Sequence, residues 1–149
     1  MTYGNPWQSY RQVATTTAPP GHLVLMLYDG AIRFLNGALA GFDLDDPLEF
    51  HQTINNNLLR AQDIINELNA SLNMQAGGEF SERLRALYIY FDRRLQESNV
   101  QKDPAGIREV VQRLTVLRTA WHEMLGKSVE GAPPLPQVTP GHVSLEATG

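Results

Sequence analysis

Residues 23–35 read LVLMLYDGAIRFL, and the reading of this stretch decides the fold. Leu23, Val24, Leu25, Met26, Leu27 and Tyr28 are all apolar or aromatic, while Val24, Tyr28, Ala31, Leu35 and Ala38 keep the alternating four- and three-residue steps of one helical stripe. One stripe suffices to face a core. The apolar residues on the other faces predict a helix covered nearly all round, or one that keeps a face for a partner. Asp29-Gly30 would mark a hairpin between strands, but both flanks are helix-periodic, so the pair lies inside the helix. Gly30 there costs roughly 1 kcal/mol against alanine. Either close helix packing or close approach of a bound peptide backbone answers for it.

Working outward, Pro19-Pro20 presets a first helical turn, so this helix spans 20–40. Asp46-Pro47-Leu48-Glu49 starts a second helix, with Asp at the N-cap, Pro at N1 and Glu at N3. Its seam is Ile54, Leu58, Ala61, Ile65, Leu68 and Leu72, with Leu59 and Ile64 off the seam. Gly77-Gly78 is a flexible turn. A third helix from near Phe80 buries Leu84, Leu87, Tyr88, Phe91 and Leu95 and points Ile89 and Tyr90 away. Asp103-Pro104 starts a fourth, carrying Ile107, Val110, Val111, Leu114, Leu117, Trp121 and Leu125, which ends around Gly126. Helices of similar length joined by short loops run antiparallel to their neighbours. The expectation is an all-α, up-down-up-down four-helix bundle over 19–127, with a flexible arm at 1–18 and a disordered tail at 128–149.

Composition narrows the function classes. The 149-residue chain carries a net charge of −4 and no cysteine, which removes disulfides, thiol catalysis and thiolate metal sites and gives no global attraction to nucleic acid. Bases in the second half alternate with Glu82, Asp92, Glu97 and Glu109, the pattern of a solvated helix face with ion pairs. The start shows no secretory signal, and the apolar run at 23–28 is far short of the roughly 20 residues a membrane span needs, so a cytoplasmic protein without membrane insertion is expected. His22, His51, His122 and His142 fall one per segment, without the Glu-x-x-His pairs of bundle metal sites. No metal, cofactor or catalytic residue is therefore expected. A histidine phosphotransfer bundle would use His51, but Gln52-Thr53-Ile54-Asn55 supplies no lysine to steady a phosphoryl group. A purely structural homo-oligomer associating through the first helix is the other alternative.

Two features ask for an owner. Residues 1–18 carry Tyr3, Trp7, Tyr10 and Val13 at near-helical spacing, which suits a tail packed on its own bundle or a movable plug over a groove. Asn55-Asn56-Asn57 sits inside a helix although asparagine is a poor helix former. Asn56 and Arg60 share a face, with Asp63 and Ile64 just beyond. Such carboxamides serve a solvated face, or hydrogen-bond the backbone of an extended ligand.

The strings LVLMLYDGAIRFL, NNLLRAQDIINELNASL (56–72), ALYIYFDRRLQESN (86–99) and LTVLRTAW (114–121) together resemble the flagellar secretion chaperone family FliS. The similarity covers all four helices in order, and Tyr10 matches the tyrosine near the start of that family's sequences. Asn73 stands where an aspartate is common, and Ile89 lies in a block that often reads LYDYM. The resemblance implies a non-enzymatic cytoplasmic bundle that binds the C-terminal segment of newly made flagellin, prevents premature polymerisation and delivers flagellin to the flagellar type III export apparatus. The partner-binding residues expected on that basis are Tyr10 as a plug; Leu23, Met26 and Gly30 as groove lining; Asn56, Arg60 and Ile64 on the second helix; and Tyr90 on the third. Whether the free chain forms a homodimer stays open at this level.

Overall fold

The computed structural model describes residues 20–129, which form α1 (Pro20–Gly41), α2 (Pro47–Ala70), α3 (Met74–Gln101) and α4 (Ala105–Val129). The arm at 1–18 with Tyr10 and the tail beyond Val129 lie outside the described residues. Short connections at 42–46, 71–73 and 102–104 hold successive helices antiparallel. Packing closes the ring: α1 lies against α2 and α4, and α3 lies against the same two. This is the up-down-up-down four-helix bundle that the periodicity predicts.

The helix starts follow their capping chemistry. Asp46 accepts the Glu49 backbone N–H at 3.0 Å through Oδ2, with Pro47 opening α2. Asp103 accepts the Ala105 N–H at 3.0 Å before α4. The third helix departs from expectation. It begins at Met74, because Asn73 caps the Ala76 N–H at 2.8 Å, and it kinks where Gly78 takes φ 54° and ψ −132° before resuming. The glycine turn is present, but it sits inside the element. At the other end of the bundle sequence, α4 runs on past Gly126 to Val129.

The core explains why α1 is apolar on several faces. Leu27, Ala31, Leu35 and Ala38 are fully buried, and Leu23, Val24, Leu25 and Tyr28 nearly so. On length and composition alone Gly21–Gly41 is apolar enough to cross a membrane, which the short run at 23–28 did not suggest, yet half of that window is buried inside the bundle. On α2, Ile54, Leu58, Ala61, Ile65 and Leu68 form the expected seam, and Ile64 is fully buried as well. Because α2 is flanked by both α1 and α3, it buries a broader arc than one seam; Leu59 alone of the two off-seam residues is exposed, at 49%.

Polar bonds tie each helix to its neighbours. Arg118 on α4 reaches Asp29 on α1 at 2.5 Å, and the Trp121 indole N–H donates to the Gly21 carbonyl at 3.1 Å. Gln62 on α2 donates to the Asp92 carboxylate on α3 at 3.1 Å, and Asn99 donates to Asn55 at 2.9 Å. Across the diagonal, the buried hydroxyls of Tyr28 on α1 and Tyr88 on α3 meet at 2.5 Å. Burial pushes the Tyr28 hydroxyl up to about 12 and, together with Tyr28 itself, raises Tyr88 well above the ordinary tyrosine value.

Both hydroxyls hold their protons more tightly folded than unfolded, so their contribution to stability is complete below the unfolded value near pH 10 and is lost as pH rises toward 12. Denaturant titrations from pH 9 to 12 should therefore show stability level up to about pH 10 and then falling by up to about 1.4 kcal/mol per pH unit for each buried hydroxyl. The Tyr28→Phe/Tyr88→Phe variant should show a flatter profile. An unchanged slope would remove the pair from the alkaline response.

Candidate functional site

The α1–α2 edge is built from small and carboxamide residues. A side chain at Gly37 would put its Cβ 2.6 Å from Asn57 Oδ1, and one at Gly41 would put it 2.9 Å from Thr53 Cγ2. The two helices therefore approach closely because glycines face α2 at these positions. Asn57 fills the gap, and its amide donates back to the Thr53 carbonyl at 2.8 Å. Counting antiparallel from the Gly37–Asn57 contact places Gly30 level with Ile64, and Leu23 near Ser71 at the far end.

The asparagine run thus divides its work. Asn55 pairs with Asn99 on α3, and Asn57 packs against α1. Only Asn56 is fully exposed, and with Leu59, Arg60 and Asp63 it lines a hollow of about 180 Å³ on the outer side of α2. Desolvation holds the Asp63 carboxyl above its usual range despite the opposing charge of Arg60.

The expected contact residues fall into three groups. Asn56 and Arg60 come together in the α2 hollow. Leu23, Met26 and Gly30 share one face of α1: Leu23 and Gly30 are buried and Met26 is half-buried. Ile64 is packed in the core, level with Gly30. Tyr90 stands apart on the α3–α4 edge, opposite the α1–α2 edge in the ring.

Tyr90 belongs to a network that sequence reading did not find. Its hydroxyl donates to Glu109 at 2.7 Å, and the same carboxylate accepts from Arg94 at 2.8 Å and from Arg113 at 3.1 Å. The Tyr90 hydroxyl and these guanidinium groups hold the Glu109 carboxyl below the usual range. Glu109 and Arg113 form one wall of the larger hollow, about 390 Å³, whose other lining is Gln112, Leu87, Val116 and Leu117. Alternating charge along α3 and α4 was visible in the sequence; which acid served which base depended on the packing of the two helices.

Two histidines that looked scattered come to one place. His22 near the start of α1 and His122 near the end of α4 line a hollow of about 140 Å³ with Leu125 and Gly126. Among the described residues no group of three histidine, cysteine or carboxylate side chains could hold a metal ion. His51 is exposed and stacks edge-on against Phe50, with ring centroids 5.0 Å apart. The features that the helices do place together are apolar edges with hydrogen-bonding groups beside them, which suits the binding of a chain segment.

Comparison with known proteins identifies the family. A family model described as flagellar protein FliS matches residues 3–128. The chain is 38% identical over 125 residues to a flagellar secretion chaperone FliS of Bacillus subtilis (strain 168), covering 84% of this chain and 90% of the relative. It is 32% identical over 126 residues to a protein of the same name from Salmonella typhimurium, covering 81% of this chain and 90% of the relative. The Escherichia coli (strain K12) protein of that name is 32% identical over 123 residues, covering 79% and 88%.

The close α1–α2 edge can be tested without any ligand. Gly37→Leu forces a branched side chain into the space held by Asn57 and should destabilise the bundle by about 1–3 kcal/mol in denaturant titration. Full stability would show that the glycine is not needed for the approach.

Proposed function

The chain belongs to the FliS family of flagellar export chaperones, and on that footing we propose that it holds the C-terminal segment of flagellin along the α1–α2 edge until export. The observation that carries this reading is the extent of the family match, which covers every helix of the bundle. The edge adds physical support. Leu23, Met26 and Gly30 share one face of α1, and Asn56 and Arg60 line the hollow on the outer side of α2. At 1.5 Å per residue, the stretch of α1 from Leu23 to Gly37 is about 21 Å long, the length of about 14 helical residues of a client.

Such a site works by covering, not by chemistry. A client segment that is unfolded as a monomer presents the apolar face it will later bury in the filament. Laying that face on α1 removes it from water at about 25 cal/mol per Å², and the ordering of the client offsets much of the gain. The complex is then strong enough to prevent premature polymerisation and weak enough to release its cargo at the flagellar type III export apparatus. Asn56 and Arg60 supply donors and an acceptor to the client backbone, fixing register without reading side chains. Tyr10, in the arm that precedes α1, is the group we assign to cover the Leu23–Met26–Gly30 face when no client is bound, and Tyr90 is a secondary contact on the far edge. Ile64 acts from beneath, supporting the edge at the level of Gly30. The role requires no cofactor and no catalytic residue, and it is performed in the cytoplasm.

Isothermal titration of the full chain with a C-terminal flagellin peptide tests the reading. Saturable binding with a negative heat-capacity change is expected. Asn56→Ala/Arg60→Ala should weaken it by about tenfold, or about 1.4 kcal/mol. Tyr10→Ala should change affinity while leaving thermal unfolding of the bundle unaltered. No detectable binding by the folded chain would overturn the assignment, and unchanged affinity in the Tyr10 variant would remove the plug.

A further inference from the structure

The residues that precede α1 and those that follow α4 attach at one end of the bundle, because α1 begins and α4 ends there. The opposite end consists of the 42–46 and 102–104 connections, and the first of these has an unusual composition. Leu44 is 37% exposed and Leu48, in the first turn of α2, is 63% exposed. Half-buried Phe42 and Phe50 lie in the same segment, packed edge-to-face with centroids 5.6 Å apart. The turn itself is pinned by backbone bonds from Phe42, Asp43 and Leu44 to the last carbonyls of α1, at 3.1–3.2 Å. Leu44 thus sits on a turn of fixed backbone, and Leu48 is exposed in the helical turn that follows.

Charge selects what can cover them. Asp45, Asp46 and Glu49, all exposed, and half-buried Asp43 flank the two leucines in sequence, and no lysine or arginine occurs between Arg33 and Arg60. Helix capping accounts for Asp46, whose carboxylate receives the Glu49 N–H, and the α2 dipole favours Glu49. Neither effect accounts for Asp43 or Asp45, which form no ion pair among the described residues. The nearby Lys102 directs its ammonium to the Asn99 carbonyl and side chain, both at 2.7 Å. Exposed apolar groups ringed by one sign of charge exclude an acidic partner and draw a basic one from a distance.

We propose that this end of the bundle docks a basic amphipathic helix of a partner protein, its apolar face on Leu44 and Leu48 and its lysines or arginines against Asp43, Asp45 and Glu49. The surface lies beyond the end of the α1–α2 edge assigned to the client, so the proposal stands without that assignment and a client-loaded chain keeps the surface open.

The test uses the full, isotope-labelled chain and two synthetic helical peptides, one of leucine and lysine in an amphipathic pattern and the same pattern with glutamate for lysine. Nuclear magnetic resonance titration should show saturable shifts from the lysine peptide centred on residues 42–50, and none there from the glutamate peptide. Asp43→Asn/Asp45→Asn and, separately, Leu48→Ser should each weaken binding by at least tenfold, while Asn56→Ala leaves it unchanged. Raising salt from about 50 to about 300 mM should weaken it further. The exposed acidic pair bears no packing, so that variant carries the test even if Leu48→Ser fails to fold. Shifts spread over the whole surface, equal binding of the glutamate peptide, or indifference to the acidic substitutions would overturn the proposal. Self-association of the free chain that Leu48→Ser abolishes would also overturn it, by giving the surface to a second copy.

Discussion

The structure depends on removing α1 from water. Its apolar residues occupy too wide an arc for one neighbour to cover, so α2 and α4 must both lie along it, and α3 closes the ring behind them. Burial alone does not choose the register. That is set by shape and by paired polar groups: Gly37 and Gly41 admit α2 at one height, while Asp29–Arg118 and Trp121–Gly21 fix α4. The diagonal Tyr28–Tyr88 contact then gives the centre of the bundle a partner-specific polar bond that a core of leucines would lack.

Helix starts are legible in the sequence as cap residues. Asp46-Pro47 and Asp103-Pro104 were recognised as helix starts because capping involves residues two or three apart, and both carboxylates accept the expected N–H groups. The third helix begins six residues ahead of Phe80 because two signals compete. Asn73 caps the chain early, and Gly78 breaks the helix without ending the element. Ile64 lies off the single 3.5-residue stripe yet is buried, because that stripe describes a helix with one main contact and α2 has two.

The candidate site was legible to the extent that it is local. The i, i+4 spacing of Asn56 and Arg60 put them on one face, and they line one hollow. The division of labour among Asn55, Asn56 and Asn57 was not legible, since two of the three are occupied by residues on α1 and α3 that are far away in sequence. The same limit hides the Glu109 network and the shared hollow lined by His22 and His122. Gly37 and Gly41, four residues apart on one helix face, are the signal of the close edge that the sequence carries.

The shared end at which α1 begins and α4 finishes also sets how the bundle yields to load. Tension applied through the segments flanking residues 20 and 129 acts across neighbouring antiparallel helices, so it peels the α1–α4 edge apart instead of shearing it along its length. Contacts along a peeled edge fail in sequence, each bearing the load alone, and those nearest the pulled ends are Leu125 against Gly21 and the Trp121 bond to the Gly21 carbonyl. In such a geometry the pull loads one end contact at a time, whereas heat must disrupt the core as a whole.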